Sequence, residues 1–108
     1  VVFYDKLGIH KLISIICQCE EADEFYLDNL GGLLIDGNSS KYELLNTLIC
    51  VVDCNWNLRE AARKLYIHYN SMKYRYAKIC EILDMDLKNQ RNRFQIEMAI
   101  ELYKIKKK

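Results

Sequence analysis

Proline is missing from this sequence altogether, and only four of its 108 residues are glycine. These two residues interrupt regular backbone most strongly, so their scarcity favours helix throughout. Long apolar runs are missing too. None approaches the ~20 residues that a membrane-spanning helix needs. The opening VVFYDKLG is neither basic nor followed by a clean apolar block, so no secretion signal is expected. No initiator methionine heads the chain, and the expectation is a piece of something longer. The sequence shows no CxxC pair, no Ser-His-Asp or Cys-His arrangement, no phosphate-cradling glycine loop and no pair of catalytic carboxylates. Neither an enzyme nor a cofactor is expected. Five cysteines, an odd number, suggest reduced thiols in a cytoplasmic protein. Cys50 and Cys54 stand four apart and can in principle meet a metal with His68 or His10. The expected role is blander, that of a small buried apolar residue.

What is present reads as one helical domain. Hydrophobic residues make up 51% and charged residues 29%, which excludes disorder. Apolar residues recur at helical spacing almost everywhere. A first helix is expected over Leu7 to Cys17, with Leu12, Ile13 and Ile16 on one face. Glu20, Glu21, Asp23 and Glu24 open a second through about Leu30, since carboxylates suit a helix N-terminus. Gly31-Gly32 ends it. Asp36 to Ser40 is the clearest loop and separates supporting helices over 1–40 from a core over 41–108. The next helix, Tyr42 to about Cys54, turns Leu44, Leu45, Leu48, Val51 and Val52 inward. Asn89 is a plausible cap for a last helix over about Gln90 to Ile105. That helix buries Phe94, Ile96, Ala99, Ile100 and Tyr103, and Lys106 to Lys108 fray.

The segment between carries the chemical signal. Asn57 reads as an N-cap, with Glu60 three residues on completing a capping box. Leu58 to Leu65 is a short helix in which Ala61 and Ala62 leave room for a close helix crossing. Tyr66-Ile67-His68 is the turn, with Ile67 as a buried plug, and a second helix runs from about Tyr69 to Leu83. Its inward stripe is Met72, Tyr76, Ile79 and Leu83. Charge is placed accordingly. Residues 57–79 hold six basic and one acidic side chain, while residues 1–56 hold three basic and nine acidic. The whole chain is nearly neutral at +1. A basic patch on one supersecondary unit is the footprint of a phosphate-binding face, though a solvated helix pair can look the same.

A helix-turn-helix directed at double-stranded DNA follows from this pattern. Fixing the stripe inward sends Asn70, Ser71, Tyr74, Ala77 and Lys78 outward. Such helices read bases mainly with N-terminal residues, so His68, Tyr69, Asn70, Ser71 and Tyr74 are the candidates for base contact. Lys73, Arg75 and Lys78 suit phosphates. Asn57 and Arg59 open the preceding helix, whose N–H groups favour a phosphate. Bland readings stand beside these. Tyr74 can pack on a neighbouring helix, Arg75 can be an internal ion-pair partner, and His68 can cap its helix.

The stretch LLNTLICVVDCNWNLREAARKLYIHYNSMKYRYAKICEIL, Leu44 to Leu83, resembles the C-terminal helix-turn-helix domain of the PucR/CdaR family of bacterial transcription regulators. The matching positions are Leu44, Leu45, Thr47 and Leu48, then Asn57, Glu60, Ala61, Ala62 and Leu65, then His68, Asn70, Tyr74, Arg75, Ile79 and Leu83. The upstream YDKLGIHKLI resembles the family's entry segment. The downstream DLKNQRNRFQIEMAIEL resembles its closing helix, with Arg93 and Ala99 in place. Tyr69 stands where arginine is common, Ser71 replaces threonine, Ala77 takes an often basic position and Asp84 a common glycine. The resemblance implies an all-α bundle of about six helices with a Fis-like helix-turn-helix. It also implies sequence-specific operator binding, a homodimer in the full-length protein, and an effector sensed by a domain absent from this chain. The alternatives are a helical protein-interaction module that has lost DNA binding and a Fis-like nucleoid protein.

Overall fold

The computed structural model describes residues 11–34 and 39–107, with side chains over 11–34 and 43–105. Among the described residues the regular structure is all helical. The order is α1 (described over 11–16), α2 (Glu20–Leu30), a 3-10 turn (Gly31–Leu33), α3 (Ser39–Asp53), α4 (Leu58–Lys64), α5 (Tyr69–Leu83) and α6 (Gln90–Lys107). This is the expected all-α bundle. Residues 7–10 of the first expected helix, and 36–38 of the expected loop, lie outside the described residues.

Three boundaries differ from expectation. α3 begins at Ser39, so Ser39 and Ser40 are helix rather than loop. Serine disfavours helix interiors, but the first turn has unpaired N–H groups and tolerates it. α4 stops at Lys64, with Leu65 as its C-cap. α6 continues through Lys107 instead of fraying after Ile105, and cations at its C-terminus suit the dipole.

Three consecutive helices close in the same way. Asn55 N–H donates to Val52 O at 3.0 Å and Trp56 N–H to Val51 O at 2.8 Å. Tyr66 N–H donates to Arg63 O at 3.2 Å and Ile67 N–H to Ala62 O at 3.0 Å. Asp84 N–H donates to Glu81 O at 3.2 Å and Met85 N–H to Cys80 O at 3.3 Å. Each pair is a Schellman closure, which requires a left-handed residue just past the helix. Asn55 (φ 57), Tyr66 (φ 57) and Asp84 (φ 54) supply it, and Trp56 (φ 65) also lies in this region. Glycine is favoured at such positions, and none of the chain's four glycines falls there.

The main core joins α2, the 3-10 turn, α3, α5 and α6 through Leu30, Leu33, Leu45, Leu48, Ile79, Leu87, Ile96, Ala99 and Ile100. Fully burying a Leu or Ile of this set contributes ~1.5–3 kcal/mol. Gly32 is required here, because a Cβ on it would stand 2.8 Å from Ile82 Cγ2 on α5. A second cluster, Val51, Cys54, Ala61, Ala62 and Met72, seats α4 between α3 and α5. A third, Ile13, Ala22 and Leu102, places α1 and α2 on α6.

Two burial expectations fail. Among the described residues of α1 only Ile13 is buried, while Leu12 and Ile16 are exposed. Ile13 and, one turn on, Cys17 join the cluster that packs on α6. Phe94 is 58% exposed. It lies two residues from buried Ile96, about 200° around the helix, so both cannot face the core.

Candidate DNA interface

The motif forms because its caps and its small residues agree. Asn57 is the N-cap of α4, its side-chain oxygen accepting from Glu60 N–H at 3.1 Å. The other half of the expected capping box does not form. The Glu60 carboxylate pairs with Arg63, and Asn57 N–H donates to Cys54 O at 3.1 Å. Ala61 and Ala62 are buried, and their short side chains let α4 approach α5 at Met72. Ile67 in the turn is half-buried against this cluster, as a plug would be. Tyr66 beside it is 94% exposed.

α5 is two-sided. Met72 and Ile79 are buried, and Tyr76 and Leu83 are half-buried against the core. Burial pushes the Tyr76 hydroxyl above its usual pKa, with Cys80 adding to the rise and Arg93 opposing it. Asn70, Ser71, Lys73, Tyr74 and Lys78 are exposed on the other side. Tyr74 is 66% exposed, so it does not pack away on a neighbouring helix. His68 occupies the N-cap position of α5, exposed and without a side-chain cap hydrogen bond.

Two predicted residues are engaged within the domain. Arg75 points back to α3, its Nη2 2.8 Å from Glu43 Oε1 and its Nη1 3.2 Å from Thr47 Oγ1. It is therefore apart from the outward set, as the internal ion-pair reading has it. Tyr69 is half-buried at the start of α5. The Arg59 guanidinium stands over its ring at 4.1 Å and the Lys73 ammonium at 5.3 Å.

Charge pairing divides the basic residues further. Arg63 and Arg75 have carboxylate partners. Among the described residues, Arg59, Lys64, Lys73 and Lys78 have none. Lys64, exposed in the last turn of α4, is a further cation on this surface that the outward pattern of the second helix does not indicate.

The described residues contain no group of three His, Cys, Asp or Glu side chains able to hold a metal. Burial, with Cys54 adding to it, pushes the Cys50 thiol up, the wrong direction for a thiolate ligand. Cys50 Sγ instead faces Ala61 O at 3.9 Å, and His10 lies outside the described residues. No described helix is long and apolar enough to cross a membrane.

Comparison with known proteins agrees with this geometry. The model of the PucR C-terminal helix-turn-helix domain matches residues 44–102. The proline-responsive transcriptional activator PutR of Bacillus subtilis (strain 168) is 35% identical over 103 residues, covering 95% of this chain and 25% of that protein. The DNA-binding transcriptional activator AdeR of the same organism is 26% identical over 92% of this chain and 24% of its own length. Its purine catabolism regulatory protein is 27% identical over 94% of this chain and 19% of its own length. The chain thus spans about a quarter of the length of the first of these relatives. No solved structure gives a significant match. The chain belongs to the family of PucR C-terminal helix-turn-helix domains, the DNA-binding modules of transcription regulators and not enzymes.

Proposed function

We propose that this domain binds an operator sequence in double-stranded DNA with α5 in the major groove. The two-sidedness of α5 carries the reading, with Met72 and Ile79 buried and Asn70, Ser71, Tyr74 and Lys78 facing solvent. His68, Asn70, Ser71 and Tyr74 then meet base edges, where asparagine suits adenine bidentately. Arg59, Lys64, Lys73 and Lys78 meet phosphates, which fix register and not sequence. Asn57 holds the start of α4, and Arg75 holds α5 on α3.

In a homodimer, two such helices would lie about 34 Å apart, one turn of duplex. The named relatives include two transcriptional activators, one of them proline-responsive. The proposed whole is a regulator that acts in the cytoplasm and whose effector binds outside this domain.

Selection of duplexes from a random library, followed by fluorescence anisotropy across a salt series, tests the reading. Counterion release contributes about 0.9 to the log–log salt slope per phosphate contact, so the four cations predict a slope of up to about −3.6 per domain, reached if each meets its own phosphate. Failure to bind any duplex, or binding that ignores salt, favours a protein-interaction module. Salt-dependent binding without sequence preference favours a nucleoid-type protein.

A further inference from the structure

We propose that Tyr69 is a positioning residue and not a base reader. Its ring gathers Arg59 of α4 and Lys73 of α5 into one site for a DNA backbone phosphate. The inference rests on the DNA-binding reading above and assigns work within that surface.

Three observations carry it. The ring is already engaged, with Arg59 at 4.1 Å and Lys73 at 5.3 Å from its centroid. Lys73 comes four residues after Tyr69, one helical turn, while Arg59 arrives from the other helix of the motif. The site therefore spans the turn and ties both helices to one ligand.

The second observation concerns what does not hold these cations. Arg63 and Arg75 are met by Glu60 and Glu43, whereas Arg59 and Lys73 have no carboxylate partner among the described residues. A carboxylate would neutralise them and compete with phosphate. An aromatic face orients a cation through its quadrupole and leaves its charge intact.

Third, both distances to one ring place the two charges within about 10 Å of each other, a Debye length at 0.1 M salt. Like charges so close repel, and an anion shared between them relieves the repulsion. Tyr69 itself is half-buried, with both cations set over its ring.

The test compares the 108-residue chain with Tyr69→Phe and Tyr69→Leu. The probes are a duplex selected by the unsubstituted chain and an unrelated duplex of equal length. The phosphate site predicts that Tyr69→Leu weakens binding to both duplexes by the same factor. The salt slope falls by up to about 0.9, one phosphate contact's worth. The ratio of the two affinities stays constant. Tyr69→Phe, which keeps the ring, binds as the unsubstituted chain does. Arg59→Gln and Lys73→Gln each lower the slope, by at most the same ~0.9, because they share one phosphate.

A fall in the affinity ratio in either Tyr69 variant overturns the proposal in favour of base reading, and leaves the DNA-binding function standing. Should Tyr69→Leu fail to fold, Tyr69→Phe with Arg59→Gln decides. An unchanged ratio in the first and a lower slope in the second support the site; a changed ratio or an unchanged slope overturns it. An unsubstituted chain that binds neither duplex overturns the function and this inference together.

Discussion

Arg75 on α5 and Glu43 on α3 face each other at 2.8 Å, and the same guanidinium donates to Thr47 one turn further along α3. Thr47 is 1% exposed, and its hydroxyl in turn donates to Glu43 O at 2.9 Å. The bracket fixes the rotation of α5 against α3 and so decides which of its residues face outward. Arg75→Ala is expected to cost about 1 kcal/mol in urea unfolding, modest because Glu43 is largely exposed. The salt slope of DNA binding should not change. A slope reduced by about 0.9 would instead make Arg75 a phosphate ligand.

Tyr66 carries a left-handed backbone (φ 57) with its side chain 94% exposed. A residue with a Cβ pays about 1–2 kcal/mol there, and glycine's extra freedom when unfolded returns about 0.5–1 of it. Tyr66→Gly loses almost no packing, so a net gain of ~0.5–1 kcal/mol is expected, roughly 2–6 °C in Tm. Asp84→Gly should gain less, because aspartate tolerates this conformation better. Thermal unfolding followed by circular dichroism checks both, and a lowered midpoint for Tyr66→Gly would refute the strain argument.

These two residues also mark where the sequence stops being legible. Periodicity located α5 and its buried Met72 and Ile79, because a stripe needs only local spacing. The Asn57 cap was readable for the same reason, its acceptor and donor being three residues apart. Arg75 and Glu43 are 32 positions apart in the sequence and meet only once α3 and α5 have packed. The Schellman closures were invisible because the usual glycine signal is missing at Asn55, Tyr66 and Asp84. Tyr69 reads in the sequence as a candidate for base contact at the start of the second helix, and its ring contact with Arg59 depends on how α4 crosses α5.

That crossing makes Ala62 a sensitive position. It is 3% exposed in the cluster with Val51, Ala61 and Met72. Ala62→Leu has no space to fill and should destabilise by about 1–3 kcal/mol. Duplex affinity should fall further than the unfolded fraction explains, since α4 must move off α5 and carry Arg59 away from Tyr69. Equal affinity at a concentration where the variant is fully folded would show that the crossing is not critical.

Trp56 joins the end of α3 to α6, and it is the chain's single tryptophan. Its Nε1–H donates to Glu97 Oε2 at 2.7 Å, while the Arg93 guanidinium lies 5.0 Å over its ring. Arg93 also donates from Nε to Leu87 O, so one cation braces the α3–α4 turn and the α5–α6 connection together. Trp56→Phe keeps an aromatic face for Arg93 and removes the N–H. The expected loss is about 1–2 kcal/mol, because Glu97 is left half-buried without that donor. Glu97→Gln retains an oxygen acceptor and should cost less. The ordering is read by urea unfolding, with Trp56 fluorescence as an added probe for Glu97→Gln. If Glu97→Gln proves the more damaging change, the carboxylate charge acting on Arg93, and not the indole hydrogen bond, is what holds this joint.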